Sequence, residues 1–261
     1  MALTQEQQAA WTSDGYIVLR KALTPAKVLK LKREVERMYR RTRRQSSGKK
    51  GMDIRNILPE SQAFIDLIDP KEIFGVVLDL MGPYLQLSTA QALVRVPDTK
   101  GAGYVHADGG QAMTRIRVTE SSLPLQIKLQ YFLTDVRGSN RGNFVLVPGS
   151  HYRPFPNGVG KISPDAPGVV QLEARAGDVA IFPHALWHGV APNHGSQLRN
   201  SLIYGYSQMC FRPFDFDEHS DEVMTRCTPR QRRLLGDLGV DWRPGAYFYG
   251  PKDQAEVLGT T

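Results

Sequence analysis

The sequence predicts an α+β protein that is mainly β: a double-sheet jelly-roll core, with a helical layer packed on one side of it. Three observations carry this prediction. Helical spacing of apolar residues dominates the N-terminal part, about 1–83. From about 84 to 210 the texture changes to short apolar runs separated by Gly, Pro, Asn and Asp, the pattern of many antiparallel strands. Helical spacing then returns in a tail, about 211–261. With no internal repeat or long linker, the 261 residues read as a single domain over 1–261, long enough to bury a core without disulfides.

Each element has its own local reason. Thr4 and Gln7 form a capping box that opens a short helix, and Asp14-Gly15 turns the chain into a strand over Tyr16–Leu19. Thr24-Pro25 supplies an N-cap with proline at the first helical position, and Val28, Leu31, Val35 and Met38 then fall on one helix face. Phe64, Ile65 and Ile68 before Pro70, and Ile73, Phe74, Val77, Leu78 and Met81 after it, mark a second helical region. Strands are expected over Gln91–Val96, Leu125–Leu133, Asn143–Val147, Val179–Phe182 and Ser201–Ser207. The tail is helical from Glu218 to Leu238, with Thr228-Pro229 as another helix start.

Charge narrows the function classes. The formal charge of +7 comes from 33 basic against 26 acidic side chains, and the run from Arg37 to Lys50 holds seven cations and no acid. A nucleic-acid or anionic-surface binder using residues 37–50 is therefore one reading. No zinc-knuckle spacing or basic strand interleaved with aromatics supports it, so a solvated helix face is expected and no nucleic acid as partner. The Gln45–Gly51 stretch reads as a mobile loop, suited to a lid or entrance. No run approaches the roughly 18–20 apolar residues of a membrane span, and the N-terminus lacks a signal-peptide pattern. No membrane partner, a cytoplasmic location and a monomer or homodimer follow as expectations, with Cys210 and Cys227 reduced.

The chemistry concentrates in a few of the six histidines. His106 and Asp108, at i and i+2, leave the same face of an extended segment and can converge on one ion, although Asp108 before two glycines also suits a self-capping turn. The segment Gly177–Gly189 runs from a Gly-Asp turn through an apolar strand to His184 and His188. A reversal at Asn193 and His194 forms a hairpin that stands His188 opposite Arg199. Two neutral nitrogens and one carboxylate leave metal positions open, which suits non-haem Fe(II) and dioxygen. A nearby arginine needs an anion, and its fork matches a carboxylate such as the far end of a 2-oxo diacid. A cupin-like metal hydrolase or isomerase without oxo acid is the alternative, and it leaves Arg199 unexplained.

Asp14-Gly15-Tyr16, His106-x-Asp108, Pro148-Gly149-Ser150-His151, and His188 followed by Arg199 together resemble the phytanoyl-CoA dioxygenase family of Fe(II)/2-oxoglutarate oxygenases, from about residue 10 to 208. The resemblance implies a double-stranded β-helix (jelly-roll, cupin-like) core, iron on His106, Asp108 and His188, and the 5-carboxylate of 2-oxoglutarate on Arg199. It also implies dioxygen as cosubstrate, decarboxylation to succinate, and oxidation of a small-molecule substrate. Asp108 favours hydroxylation or another oxidation over halogenation, because related halogenases carry a small residue there. Ser201, on the same strand face as Arg199, is a candidate for the carboxylate site. Gln130 stands where the family often has a tryptophan near the cosubstrate, and Gln91 is a further candidate for the oxo acid. His151 is expected to be structural, His184 a rival to His188, and His194 and His219 solvated. The loops 109–124, with Arg115, Arg117 and Glu120, and 157–167 are expected to set specificity, for a small polar metabolite in a biosynthetic tailoring step.

Overall fold

The structure, a computed structural model, describes residues 3–45, 51–98, 100–109, 113, 116, 119, 121–156, 162–239 and 245–260. Helix α1 (Gln5–Asp14) begins with the predicted capping box: the Gln7 N–H donates to the Thr4 hydroxyl at 3.2 Å, and the Thr4 N–H to the Gln7 carboxamide oxygen at 3.0 Å. Gly15 ends it with φ at 79°, and a Cβ there would fall 2.2 Å from His151 Nδ1. Helix α2 (Pro25–Gln45) buries the predicted face, Val28, Leu31, Val35 and Met38, together with Tyr39. Helices α3 (Gln62–Ile65) and α4 (Phe74–Met81) complete the N-terminal layer.

The described residues form ten strands in two antiparallel sheets. The larger has the order β1 (Ile17–Leu19), β8 (Val179–Pro183), β5 (Gln126–Phe132), β10 (Arg199–Gln208), β3 (Leu85–Arg95), β2 (Met52–Arg55). The smaller has the order β4 (Tyr104–His106), β9 (His188–Val190), β6 (Phe144–Leu146), β7 (Val170–Leu172). Alternation along the central strands divides the labour. Ala90, Ala92 and Val94 of β3, Ile127, Leu129 and Tyr131 of β5, and Leu202, Tyr204 and Tyr206 of β10 face outward and build one core with the helices. Tyr204 and Tyr206 donate their hydroxyls to the carbonyls of Phe64 and Ile68, at 2.6 and 2.7 Å, which satisfies two buried polar groups and fixes the helical layer on the sheet. The alternate residues face the space between the sheets, where Phe132, Phe144, Leu146 and Phe182 close a second core.

The tail is helical in part: helices begin at Asp221 and at Pro229, while residues 218–220 and 235–238 of the expected stretch are not in a helix. Helices α5 (Asp221–Thr225) and α6 (Pro229–Leu234) each have a side-chain N-cap, and Thr228 forms a capping box with Gln231. Helices α7 (Ala246–Tyr249) and α8 (Gln254–Leu258) follow, with Arg233 paired to Asp253 at 3.0 Å. Cys210 and Cys227 are both free thiols. No helix among the described residues is long and apolar enough to cross a membrane.

The expected hairpin is overturned. His188 and Arg199 are not partners in a hairpin: His188 pairs with His106 and Leu146 in the smaller sheet, and Arg199 pairs with Arg95 in the larger. The chain crosses between sheets over 191–198. Pro192 offers no N–H to a ladder, and Asn193 bends the chain by donating its amide to the Arg95 and Gln197 carbonyls at 3.2 and 2.9 Å.

The basic run is partly balanced by acids that precede and follow it. Arg37 contacts Glu34 at 2.8 Å and Arg41 contacts Glu60 at 2.5 Å. Residues 46–50, on which the lid reading of the Gln45–Gly51 loop depends, lie outside the described residues. So do Arg115, Arg117, Glu120 and 157–161 of the suspected specificity loops.

Candidate active site

The short pairing of β4 with β9 sets His106 directly opposite His188, with ring centroids 4.6 Å apart. Asp108 follows β4 by two residues and turns the same way. His106 Nε2 lies 3.6 Å from Asp108 Oδ1, and His188 Nε2 lies 3.5 Å from Asp108 Oδ2. The ligand atoms of all three fall within 4.8 Å of one another. His188 Nδ1 is 2.8 Å from the Leu186 carbonyl; that oxygen only accepts, so Nδ1 carries the proton and Nε2 keeps its lone pair for an ion. Burial, which overrides the attraction of Asp108, pushes the His188 imidazole down to about 3 and keeps it neutral. Burial alone would raise the Asp108 carboxyl, but the Lys128 ammonium above all, with the His106 contact, holds it well below the usual carboxylate range.

This donor set fits a divalent transition metal. Two neutral imidazoles and one carboxylate on one side leave the remaining positions free, the arrangement that Fe(II) oxygen chemistry needs. Asp108 Oδ2 is buried between the Lys128 ammonium at 2.7 Å and His188 Nε2 at 3.5 Å, so the carboxylate is placed to be shared between an ion on the imidazoles and the ammonium.

A second set of residues, on the inner faces of β10 and β3, can hold an anion. Arg199 is 3 % exposed and donates to Ser201 Oγ at 2.7 Å. Arg95 stands opposite it on the neighbouring strand. The Nε atoms of both guanidinium groups are buried without a hydrogen-bond partner, and neither group has an ion pair among the described residues. Burial first, then the like charge of Arg95, pulls Arg199 down to about 9, still protonated at neutral pH. Arg199 lies over the Phe132 ring at 5.9 Å, while His188 lies 4.5 Å from Phe182; both phenylalanines belong to the core between the sheets, which therefore connects the metal-ligating and anion-binding residues.

His106 and Asp108 open onto a cleft of about 560 Å³. Lys128, Gln126 and Ser207 line it on the sheet side, and Leu125, Phe211 and Phe214 add apolar surface. Lys128 Nζ lies 2.7 Å from Asp108 Oδ2.

The other candidates are placed as follows. Gln130 is buried on the inner face of β5, its amide nitrogen without a partner, whereas Gln91 donates its amide to Asp53. The His184 ring is buried but lies outside the metal-ligating cluster; its carbonyl accepts the Asp108 N–H at 3.2 Å. His151 is buried against Tyr152, ring centroids 3.9 Å apart, and His194 is exposed. His219 corrects the expectation of a solvated side chain: it packs on Phe216 with centroids 4.2 Å apart, and burial lowers it to about 4. Sequence reasoning missed two residues, Lys128 and Arg95. The alternation of Gln126, Lys128 and Gln130 marked a polar face, which was the available signal for Lys128; the position of Arg95 depends on strand register and had none.

Solved structures share this architecture. HygX from Streptomyces hygroscopicus, determined with nickel and 2-oxoglutarate bound, superposes with a TM-score of 0.70 at 23% identity, covering 82% of this chain and 90% of HygX. The non-haem α-ketoglutarate-dependent carbocyclase SnoK from nogalamycin biosynthesis superposes with a TM-score of 0.63 at 23% identity, over 79% of this chain and 85% of SnoK. Ectoine dioxygenase of Nocardia farcinica (strain IFM 10152) is 24% identical over 72% of each chain. The family model for phytanoyl-CoA dioxygenase (PhyH) matches residues 11–201, more than half of the sequence and the whole stretch that carries the two histidines, the aspartate and the arginine, so the chain belongs to the phytanoyl-CoA dioxygenase family of Fe(II)- and 2-oxoglutarate-dependent enzymes.

Proposed function

We propose that this enzyme oxidises a small molecule in a biosynthetic tailoring step, holding Fe(II) on His106, Asp108 and His188 and the 5-carboxylate of 2-oxoglutarate on Arg199. The observation that carries the reading is the convergence of two histidines and a buried carboxylate, within 4.8 Å, beside a cleft of about 560 Å³. The relatives support the tailoring role: HygX has been determined with hygromycin B bound, and SnoK belongs to nogalamycin biosynthesis.

The residues divide the work. When bound, Fe(II) with 2-oxoglutarate and dioxygen supplies the oxidising chemistry, in which the oxo acid is decarboxylated to succinate as the substrate is oxidised. His188 presents Nε2 in a fixed tautomer because Leu186 holds its other nitrogen. Arg199 gives a bidentate fork to the carboxylate, and Ser201 Oγ orients that fork from 2.7 Å. Ser201 itself and Gln130, buried with a free amide donor, are assigned to the oxo acid as further polar contacts. Gln91 is assigned a supporting place, since its amide nitrogen is engaged by Asp53. Phe132, Phe144 and Phe182 exclude water from the space between the sheets, which strengthens each charged contact there.

The test is anaerobic addition of Fe(II) and 2-oxoglutarate, followed by visible spectroscopy. The parent protein should develop a metal-to-ligand charge-transfer band, His188→Ala should lose it, and a metabolite library should reveal substrate-dependent succinate. No band in the parent, or an unchanged band in His188→Ala, defeats the assignment.

A further inference from the structure

Charge balance around the site points to the kind of substrate it takes. On the reading above, a metal dication, the Asp108 carboxylate, the Arg199 guanidinium and an oxo-acid dianion cancel to neutrality. Lys128 and Arg95 stand outside that balance. Arg95 is half-buried beside Arg199 and has no acid within ion-pair distance among the described residues. Lys128 is on the inner face of β5, with its side chain 19 % exposed toward the cleft, and among the described residues its ion-pair partner is Asp108. The contact is short, at 2.7 Å to Oδ2, and it is made to a carboxylate that the metal would share. A metal held by the same carboxylate takes up its negative charge. The ammonium is then a largely buried cation short of an anion, a state that costs free energy until a counter-charge arrives.

The rest of the cleft is different in character. Among the described residues its other cations are already matched: Arg55 pairs with Asp215 at 2.9 Å, and Arg212 pairs with Asp217. Phe211 and Phe214 are exposed on the lip, at 36 % and 66 %, and the Arg55 guanidinium lies 4.7 Å from the Phe214 ring. A cation that would share its carboxylate with the metal, with an apolar and aromatic lip outside it, suits a molecule with an anionic end and an apolar body.

We propose that the substrate is such an amphiphilic oxyanion, a carboxylate or phosphate whose charged group is received by Lys128 and whose apolar body lies against Phe211 and Phe214. Lys128 is then the residue that sets specificity for charge. A merely structural role would be to prop Asp108 for the metal, and the two roles make different predictions.

The test uses full-length protein loaded with Ni(II) and saturating 2-oxoglutarate, titrated calorimetrically with 4-phenylbutyrate, its uncharged match 4-phenylbutanamide, and phenyl phosphate. Titration at two 2-oxoglutarate concentrations separates binding in the cleft from displacement of the oxo acid. The parent should bind one of the anions at least about tenfold more tightly than the amide, and which anion does so separates carboxylate from phosphate recognition. Lys128→Met should erase the preference, Lys128→Arg should keep most of it, and Ni(II) affinity should stay within about threefold in both; Lys128→Gln replaces the methionine variant if that one does not fold. Equal binding of acid and amide, binding of none of the probes, or a preference that survives loss of the lysine overturns the proposal. A fall in Ni(II) affinity with the preference unchanged makes Lys128 a prop for Asp108 and overturns it too. If the parent binds neither Ni(II) nor 2-oxoglutarate, the metal-site reading fails and this proposal with it; if it binds both without the preference, the substrate class alone falls.

Discussion

His106 and His188 face each other across β4 and β9 at a ring separation of 4.6 Å, and Gly189 makes that approach possible. A Cβ on Gly189 would lie 1.8 Å from the Tyr104 carbonyl oxygen and 3.0 Å from Val105 Cα, both backbone atoms with little room to give. Gly189→Ala should force the two strands apart and cost about 1–3 kcal/mol, the usual range for overpacking. It should also abolish the Fe(II)/2-oxoglutarate absorption band while circular dichroism still reports folded protein. A normal band in this variant would mean that the strand spacing does not hold the imidazoles in place.

Arg95 and Arg199 are opposed cations on paired strands, so removing either has two effects of opposite sign. Without an anion, loss of Arg95 relieves repulsion and should raise the melting temperature slightly. With 2-oxoglutarate present, the same variant should bind the oxo acid more weakly. We expect Arg95→Met to raise the 2-oxoglutarate KM by about tenfold, and Arg199→Met by on the order of 100-fold or more because it also removes the bidentate fork. Thermal shift with and without 2-oxoglutarate, alongside steady-state kinetics, checks both signs. A lower melting temperature for ligand-free Arg95→Met would argue against the repulsion.

What the sequence made legible was what local rules govern. Thr4 and Thr228 announce their helices by side chains that bond within one turn, and the Val28 to Met38 stripe needs only helical periodicity. His106-x-Asp108 and His188 could be picked out because spacing and the following glycine are local too. The crossing between sheets was not legible, because the residues from His188 to Arg199 look symmetric about a turn; the Asn193 side chain, bonding to Arg95 and Gln197, breaks that symmetry through a tertiary contact. Lys128 beside Asp108 and Arg95 beside Arg199 likewise depend on long-range register. His219 was misread because its cover, Phe216, lies in an irregular segment with no periodicity to reveal which side faces inward.

Asp215 fastens the lip of the cleft to the sheet. Its side chain is fully buried, at 0 % exposure, and it accepts from Arg55 at 2.9 Å, from the Ala90 N–H at 3.0 Å and from the Thr89 hydroxyl. Asp215→Ala leaves the Ala90 N–H and the Thr89 hydroxyl without that partner, which should cost about 1–3 kcal/mol in chemical denaturation. Because Phe214 is the preceding residue, the lip should also loosen. Substrate KM should then rise while 2-oxoglutarate KM stays the same. An equal rise in both would place the effect in the sheet itself rather than in the lip.

His219 gives a pH dependence whose sign can be worked out. In the unfolded chain an imidazole titrates near its ordinary value of 6.5, whereas burial against Phe216 lowers it to about 4 in the fold. Above pH 6.5 both states are neutral at this residue and it contributes no pH dependence. As pH falls from 6.5 toward 4 the unfolded state takes up a proton that the fold refuses, so stability is lost across that window and levels off below it. Other buried histidines act in the same direction, so the measurement must be a difference between proteins. His219→Gln, which keeps a polar side chain but cannot be protonated, should flatten part of the decline in melting temperature between pH 6.5 and pH 4 relative to the parent. Superimposable pH profiles for the two proteins would show that His219 is as free to protonate in the fold as in the unfolded chain.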